Sequence, residues 1–187
     1  MPALRITAGA LRGRRVAVPP HDVRPTSERA RQAYFNIVSE RIAGAYFLDL
    51  FAGSGAFALE ATSRGAASAT AVERDRRAAA AIANLAKAWS QPIAVVNDDA
   101  LKAIPKLTDV FDLVYADPPY GYEQYDELLL AIDERLKLRN GALVAIEHRR
   151  LRGGEALMPV PLRNLRETRR AEYGEVAMTF FTKGEHG

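Results

Sequence analysis

Short apolar segments that end in acidic residues alternate with helical patterns along most of this chain. Strands are predicted near residues 46–50, 68–72, 93–97, 111–117 and 142–147, and helices near 54–64, 75–89, 100–107 and 124–137. The first four strands end at a carboxylate, namely at Asp49, Glu73, Asp98 or Asp99, and Asp117. This alternation predicts an α/β fold with a mostly parallel sheet and helices on both faces. Any one of these acids alone is better explained as a helix cap, but ligands bind at the carboxyl edge of such sheets, where all four would meet.

The tetrad Asp117-Pro118-Pro119-Tyr120 follows the apolar run of residues 111–116. Two consecutive prolines cannot continue a strand ladder, so the chain must leave the sheet there with carbonyl groups that neighbouring strands do not pair. Hydrogen-bond acceptors then lie beside the flat face of an aromatic ring. Such a site suits a planar group that carries an amino function, such as a nucleobase.

The segment Asp49-Leu50-Phe51-Ala52-Gly53-Ser54-Gly55 indicates the first strand, turn and helix of a nucleotide-type fold. Gly53 and Gly55 allow the backbone to approach a ligand closely. Alanine occupies the third glycine position of the dinucleotide fingerprint, at residue 58, so a smaller adenosyl ligand is the better interpretation. Glu73 follows the turn at an offset of about 20 residues, where a carboxylate meets a ribose diol.

Arginine is concentrated in two stretches that flank an acidic middle. Residues 1–44 carry 8 Arg against 3 acidic residues, residues 148–170 carry 7 Arg against 2, and residues 45–147 carry 10 basic and 15 acidic residues. Both flanking stretches contain Arg and no Lys, which suits bidentate phosphate contacts. A solvated surface would also explain them, but this segregation of charge is what an RNA substrate requires.

The composition is that of an intracellular enzyme. The 187 residues predict one domain, in which residues 1–44 form a basic arm and helix and residues 45–187 form the catalytic core. The absence of cysteine excludes disulfides and thiolate metal sites, and the three histidines are scattered. No apolar run is long enough to span a membrane. We therefore expect a cytoplasmic monomer that uses no metal ion and no membrane.

The two ends of the chain predict smaller elements. Residues 4–18 alternate loosely around Gly9 and Gly13, which indicates a short hairpin or an extended arm. The apolar positions after Pro25 recur at helical steps, and Arg29 and Arg31 fall off that apolar stripe, where they would face RNA or the cofactor. The segments 165–173 and 176–181 indicate a closing hairpin around Gly174.

Together, the glycine turn and the Asp-Pro-Pro-Tyr tetrad resemble those of class I S-adenosylmethionine-dependent methyltransferases. The segments Arg5-Ile6-x-x-Gly9-x-x-Arg12-Gly13-Arg14 and Arg24-Pro25-Thr26-x-x-Arg29-x-Arg31-x-x-x-Phe35-Asn36 are similar to those of the bacterial family that methylates guanine N2 in small-subunit (16S) ribosomal RNA. The resemblance runs from about residue 4 to residue 181. It implies a Rossmann-like fold with a seven-stranded sheet. Phe57-Ala58 stands where the family more commonly has Leu-Gly.

The resemblance also assigns roles to individual residues. In the catalytic tetrad, Asp117 and the carbonyl of Pro118 would accept hydrogen bonds from the target amine, Pro119 would complete the turn, and Tyr120 would stack on a base splayed from its loop. The residues expected to bind S-adenosylmethionine are Asp49, Phe51, Gly53, Gly55, Glu73, Asp98, Asp99 and Ala100. Asp49 and the glycine turn would hold the methionine end, Glu73 the ribose, and Asp99 or Asp98 the adenine amino group. The arginines expected to contact 16S rRNA, within an assembled or assembling small subunit, are Arg5, Arg12, Arg14, Arg15, Arg24, Arg29 and Arg31.

Three other functions share some of these features. A DNA adenine-N6 methyltransferase has the same tetrad, although such enzymes usually carry a target-recognition domain for which this chain has no room. A nicotinamide-dependent dehydrogenase would need the missing third glycine. A non-catalytic ribosome-assembly factor could keep the scaffold without binding the methyl donor.

Overall fold

A computed structural model of the protein describes residues 3–18, 25–119, 121–150 and 161–184. Two residues with predicted roles, Arg24 and Tyr120, lie outside these ranges. The strands are β1 (Ala3–Arg5), β2 (Arg15–Ala17), β3 (Tyr46–Asp49), β4 (Ser68–Val72), β5 (Ile93–Val96), β6 (Phe111–Ala116), β7 (Leu138–Arg149), β8 (Leu165–Tyr173) and β9 (Val176–Lys183). The helices are α1 (Pro25–Ile37), α2 (Ala56–Ser63), α3 (Arg76–Ala88), α4 (Ala100–Ala103) and α5 (Tyr125–Arg135).

Seven of these strands form one sheet, in the order β5-β4-β3-β6-β7-β9-β8. The pairs from β5 to β7 are parallel, whereas β9 is antiparallel to both of its neighbours. The predicted Rossmann-like α/β fold with a mostly parallel seven-stranded sheet is therefore confirmed. From β3 the chain adds β4 and β5 on one side, and it then returns to add β6 and β7 on the other side. The reversal of strand order between β3 and β6 is the switch point at which open α/β sheets form a crevice for ligands.

Successive strand residues point to opposite faces of the sheet, and helices bury both faces. Phe47 and Tyr115 pack on one side with α1 and α2, whereas Leu48 and Val114 pack on the other with α4 and α5. Continuous apolar strands are what a doubly covered parallel sheet requires. The sheet therefore holds the carboxyl ends of its central strands in a fixed arrangement.

The amino-terminal strands β1 and β2 form a separate antiparallel hairpin, with Leu4 opposite Val16. The hairpin predicted for residues 4–18 is thus present. It packs on the core through a small apolar cluster that includes Ile6, Leu11 and Leu59. Within the described ranges, no helix combines the length and the apolar character needed to cross a membrane.

Candidate active site

A cavity of about 1390 Å³ lies at the carboxyl ends of β3, β4, β5 and β6. The structure brings most of the predicted site residues together on its wall. These are Phe51, Gly53, Glu73, Asp98, Asp99, Ala100, Asp117, Pro118 and Pro119. Asp49 and Gly55 are buried beside this wall and do not line it.

Asp49 is the last residue of β3, and its side chain is only 1% exposed. Among the described residues, its Oδ1 has no hydrogen-bond partner. The pKa of this carboxyl group is raised to about 7, mainly by burial; a hydrogen bond from the backbone of Phe51 opposes the shift and the charge of Glu73 adds to it. A buried carboxylate oxygen without a partner is costly, so this position favours a cationic ligand group.

The glycine turn is fixed by its neighbours. Gly55 is the N-cap residue directly before α2 and has a φ of 77°, and a Cβ there would lie 2.9 Å from Cγ1 of Ile82 on α3. The backbone N–H groups of Gly53 and Asp75 donate to the two carboxylate oxygens of Glu73, each at 2.7 Å. Glu73 therefore connects the glycine turn to the turn that precedes α3. Both of its oxygens keep further lone pairs for a ligand.

The two neighbouring acids after β5 have different partners. Asp98 accepts from Lys106 Nζ at 2.6 Å and from the N–H of Asp99 at 2.9 Å, one bond at each carboxylate oxygen. The hydrogen bond from Lys106 is the main cause that lowers the pKa of Asp98. Asp99 caps α4 through Oδ1, which accepts from the N–H of Leu101 at 3.0 Å. Both carboxylate oxygens of Asp98 therefore accept hydrogen bonds, whereas Asp99 accepts through Oδ1.

The chain leaves the sheet directly after β6 at the Asp117-Pro118-Pro119 turn. Asp117 is half-buried and lines the cavity. The carbonyl of Pro119 accepts from the N–H of Tyr122 at 3.0 Å, whereas the carbonyl of Pro118 accepts no hydrogen bond from any described residue. The turn therefore presents a carboxylate and a carbonyl acceptor at the same cavity.

Tyr115 and Glu147 form a buried pair next to this turn that the sequence interpretation missed. The hydroxyl of Tyr115 donates to Oε2 of Glu147 at 2.6 Å, and its ring stacks on Phe57 with the centroids 3.7 Å apart. Burial is the main cause that raises the pKa of Tyr115, with Glu147 second. Ala116 pairs with Ile146, so one further step in the same register places Asp117 beside Glu147. Glu147 ends an apolar run, as the other four acids do, and the same pattern would have identified it.

The predicted RNA-contacting arginines do not all occupy similar positions. Five of them are exposed, namely Arg5, Arg12, Arg14, Arg15 and Arg29. Arg15 lines the cavity, and the guanidinium of Arg14 lies 5.0 Å from the ring centre of Trp89. Arg14 and Arg15 belong to a hairpin that packs on the core. Of the two possibilities predicted for residues 4–18, the hairpin forms and the extended arm does not.

Arg31 departs most from its expected exposed position. Its side chain is 2% exposed, and its guanidinium forms a 2.7 Å ion pair with Glu60 and donates to the carbonyl of Arg5 at 2.8 Å. Helical periodicity placed Arg31 off the apolar stripe, but Glu60 of α2 supplies a buried partner there. Arg31 also lines the cavity, so its predicted contact with RNA or the cofactor stays a prediction. In addition, its side chain joins α1 to the hairpin and to α2.

Glu60 is the centre of this junction and is fully buried. It accepts hydrogen bonds from the N–H of Thr7 at 2.9 Å and of Ala8 at 3.2 Å, and from Nε of Arg64 at 2.8 Å, besides its pair with Arg31. One carboxylate thus fastens the hairpin and α1 to α2. The hairpin residues Leu4, Ala17 and Val18 then form part of the cavity wall.

Comparison with known proteins agrees with this arrangement. The sequence profile of the family described as "Conserved hypothetical protein 95" matches residues 4–182. The chain belongs to this family. It is 37% identical over 146 residues to ribosomal RNA small subunit methyltransferase D of Escherichia coli strain K12, which covers 77% of the chain and 74% of that relative.

Two further matches span almost the whole chain. YlbH of Bacillus subtilis, a candidate rRNA methyltransferase, is 31% identical over 186 residues, with 96% of the chain and 99% of the relative covered. The structure of yhhF of Escherichia coli, a candidate methyltransferase, superposes with a TM-score of 0.84 at 33% identity, with 98% and 99% covered. The resemblance to class I methyltransferases and to this bacterial family is thereby confirmed.

Proposed function

We propose that this protein transfers a methyl group from S-adenosylmethionine to the exocyclic N2 of a guanine in 16S ribosomal RNA. The proposal depends mainly on one observation. A single cavity has Glu73 and Asp99 on one part of its wall and the Asp117-Pro118 turn on another. A methyl donor and a nucleobase bound at these two places would meet inside that cavity, and alignment of this kind is the largest contribution such a reaction needs.

The residues at the cavity fit S-adenosylmethionine. Asp49 lies buried beside the glycine turn, where the charge of its carboxylate would attract the ammonium group of a methionine moiety. Glu73 retains lone pairs for the ribose hydroxyls. Asp99 suits the adenine amino group better than Asp98, whose two oxygens already accept hydrogen bonds. Phe51 and Ala100 line the same space.

Bound S-adenosylmethionine supplies a methyl group that its sulfonium already activates. The protein must mainly position the guanine amine, which is a weak nucleophile because its lone pair is delocalised into the ring. Asp117 and the Pro118 carbonyl are acceptors for the two hydrogens of that amine. These bonds favour a pyramidal nitrogen and stabilise the positive charge that the nitrogen acquires. Tyr120 would stack on the base, and Asp117 need not be a strong base because the proton leaves easily after methyl transfer.

Two observations support small-subunit rRNA as the substrate. The Escherichia coli relative is named for methylation of this RNA. The hairpin carries the exposed arginines Arg5, Arg12, Arg14 and Arg15, of which Arg15 lines the cavity, and exposed arginines can neutralise phosphates. We propose that residues 1–44 supply most of the RNA contacts and that residues 45–187 bind the cofactor and carry out the chemistry.

The test compares small-subunit RNA from the parent strain with that from a strain that lacks the gene. Mass mapping should show one guanine that loses a methyl group, and a plasmid copy of the gene should restore it. A plasmid copy with Asp117→Ala should fail to restore it, whereas Asp126→Ala should succeed because Asp126 is exposed on α5 and away from the cavity.

The purified Asp117→Ala variant separates chemistry from binding. Loss of one preorganised acceptor should cost about 3 kcal/mol, or roughly a 10²-fold lower rate. Calorimetry should find that its affinity for S-adenosylhomocysteine is close to that of the parent. If small-subunit RNA from the deletion strain contained no guanine that had lost a methyl group, the proposed function would be contradicted. A rate within twofold of the parent would contradict the role of Asp117.

A further inference from the structure

The cavity extends beyond the residues assigned to the cofactor and to the target base. Its volume of about 1390 Å³ exceeds the roughly 300–1,000 Å³ of typical small-molecule sites. One lobe lies between the hairpin and α3. We call it the hairpin–α3 groove, and its walls include Leu4, Arg15 and Val18 on the hairpin side and Arg77, Ala81 and Leu85 on the α3 side.

The groove combines an apolar lining with cationic side chains. Arg15 on β2 and Arg77 in the first turn of α3 are both exposed and both line the groove. Neither has an ion-pair partner among the described residues, although Asp75 accepts from the backbone N–H of Arg77 at 3.0 Å. Two guanidinium groups left to solvent on facing walls form a site for a polyanion rather than for a neutral ligand.

The width of the groove is fixed by the way in which the hairpin is attached. Oγ of Ser63 accepts from the N–H of Leu11 at 2.9 Å and donates to the carbonyl of Ala8 at 2.5 Å, next to the bonds that Glu60 makes with Thr7. On the other wall, Leu85 packs against the apolar cluster of the hairpin. These contacts hold both walls in place, so the groove is already formed before a ligand binds.

We infer that the hairpin–α3 groove binds the single-stranded RNA segment beside the target guanine, with Arg15 and Arg77 contacting its phosphates. This inference rests on the proposed function, because it places the RNA next to the Asp117 turn in the same cavity. A base that enters this cavity must leave its stack, so the nucleotides beside it run as a single strand. A positively charged groove that follows the phosphate backbone is a usual feature of single-strand binding.

The test measures the affinity of Arg15→Gln and Arg77→Gln for a short fluorescein-labelled, guanine-containing single-stranded RNA at several salt concentrations. Saturating S-adenosylhomocysteine is present throughout. Each variant should flatten the log–log salt slope by about 0.7, so that a tenfold rise in salt weakens its binding about fivefold less than it weakens that of the parent. The controls are Arg76→Gln, the exposed neighbour of Arg77 on α3, and Arg135→Gln, exposed at the end of α5; neither lines the cavity.

Each contrary result has a distinct meaning. Equal losses in the control variants would overturn the groove in favour of a general effect of net charge. Weaker binding of S-adenosylhomocysteine by the groove variants would reassign the arginines to the cofactor. If a duplex bound as tightly as the single strand and lost affinity equally in the groove variants, the proposed preference for a single strand would be excluded. If the parent did not bind the RNA, the groove proposal would be overturned altogether. If the parent methylates small subunits while the groove variants bind RNA as it does, the proposed function stands and the groove alone fails.

Discussion

At the residue scale, Asp49 is difficult to explain by folding alone. A fully buried carboxylate that lacks a described partner at Oδ1 opposes folding whenever it is ionised. Its raised pKa of about 7 means that the native protein keeps a proton that the unfolded chain has lost above its ordinary pKa of 3.8. The carboxylate therefore lowers stability as the pH rises between these two values. Residues of this kind are typical of sites that a ligand completes.

The first prediction concerns the pH dependence of cofactor affinity. A cationic group beside Asp49 requires the ionised carboxylate, so binding below a pH of about 7 must first remove a proton. The affinity for S-adenosylhomocysteine should thus be constant above this pH and should fall by up to about tenfold per unit below it. Calorimetry at several pH values in buffers of different ionisation enthalpy would detect both the loss of affinity and the proton released on binding.

Asp49→Asn is the control for this prediction. The amide cannot ionise, so the variant should bind S-adenosylhomocysteine more weakly and without this pH dependence. The same variant should gain stability above pH 7, because the unfavourable buried charge is gone. An unaltered pH profile in the variant would show that another group titrates.

At the element scale, the hairpin is attached so closely that only glycine fits at one position. A Cβ on Gly9 would lie 1.7 Å from the carbonyl oxygen of Ser63. Gly13, in the same hairpin loop, also has a positive φ, of 88°, but a Cβ there would meet nothing within 4 Å. An alanine at Gly13 would therefore meet backbone strain alone, whereas an alanine at Gly9 would meet both backbone strain and a steric clash.

The second prediction uses this pair. Gly13→Ala should cost about 1–2 kcal/mol, the usual strain of a left-handed residue. Gly9→Ala should cost more, because the alanine must also push the hairpin away from α2 and break the bond from the N–H of Ala10 to Ser63. Urea unfolding gives the two free energies, and hydrogen exchange of the Thr7 and Ala8 amides reports the attachment of the hairpin. If both variants lost the same free energy of unfolding and kept the same amide protection, the hairpin would be able to move away from α2 without cost.

The elements that the sequence predicted well are those with a clear local signal. Short apolar runs predicted the parallel strands of the sheet, and a carboxylate at the end of the first four runs indicated its ligand edge. The longer extent of β7 was missed because Asn140-Gly141 has the sequence of a turn, yet Leu138 pairs with Phe111 across a register shift. The buried pairing of Arg31 with Glu60 was missed because these two residues lie 29 positions apart in the sequence. Contacts of that range leave no periodic signature.

At the scale of the whole molecule, Glu60 joins three parts of the protein that the sequence leaves separate. The hairpin, α1 and α2 all contribute hydrogen-bond donors to its buried carboxylate. The hairpin in turn forms part of the cavity wall. Stability, cofactor binding and RNA contact should therefore depend on one buried group that touches none of the ligands.

The last prediction tests this dependence with Glu60→Gln. The replacement keeps the shape but leaves the buried guanidinium of Arg31 without an anionic partner, and breaking a buried ion pair costs about 3–5 kcal/mol. The matched control is Glu127→Gln on α5, where an exposed carboxylate accepts from Gln124 at 2.9 Å and little should change. We expect Glu60→Gln to unfold at lower urea, to be cut by trypsin at the hairpin arginines before the core, and to bind S-adenosylhomocysteine more weakly. A loss of stability without earlier cleavage of the hairpin would mean that Glu60 supports the core alone. Parent-like behaviour in all three measurements would mean that the hairpin is held by its apolar contacts.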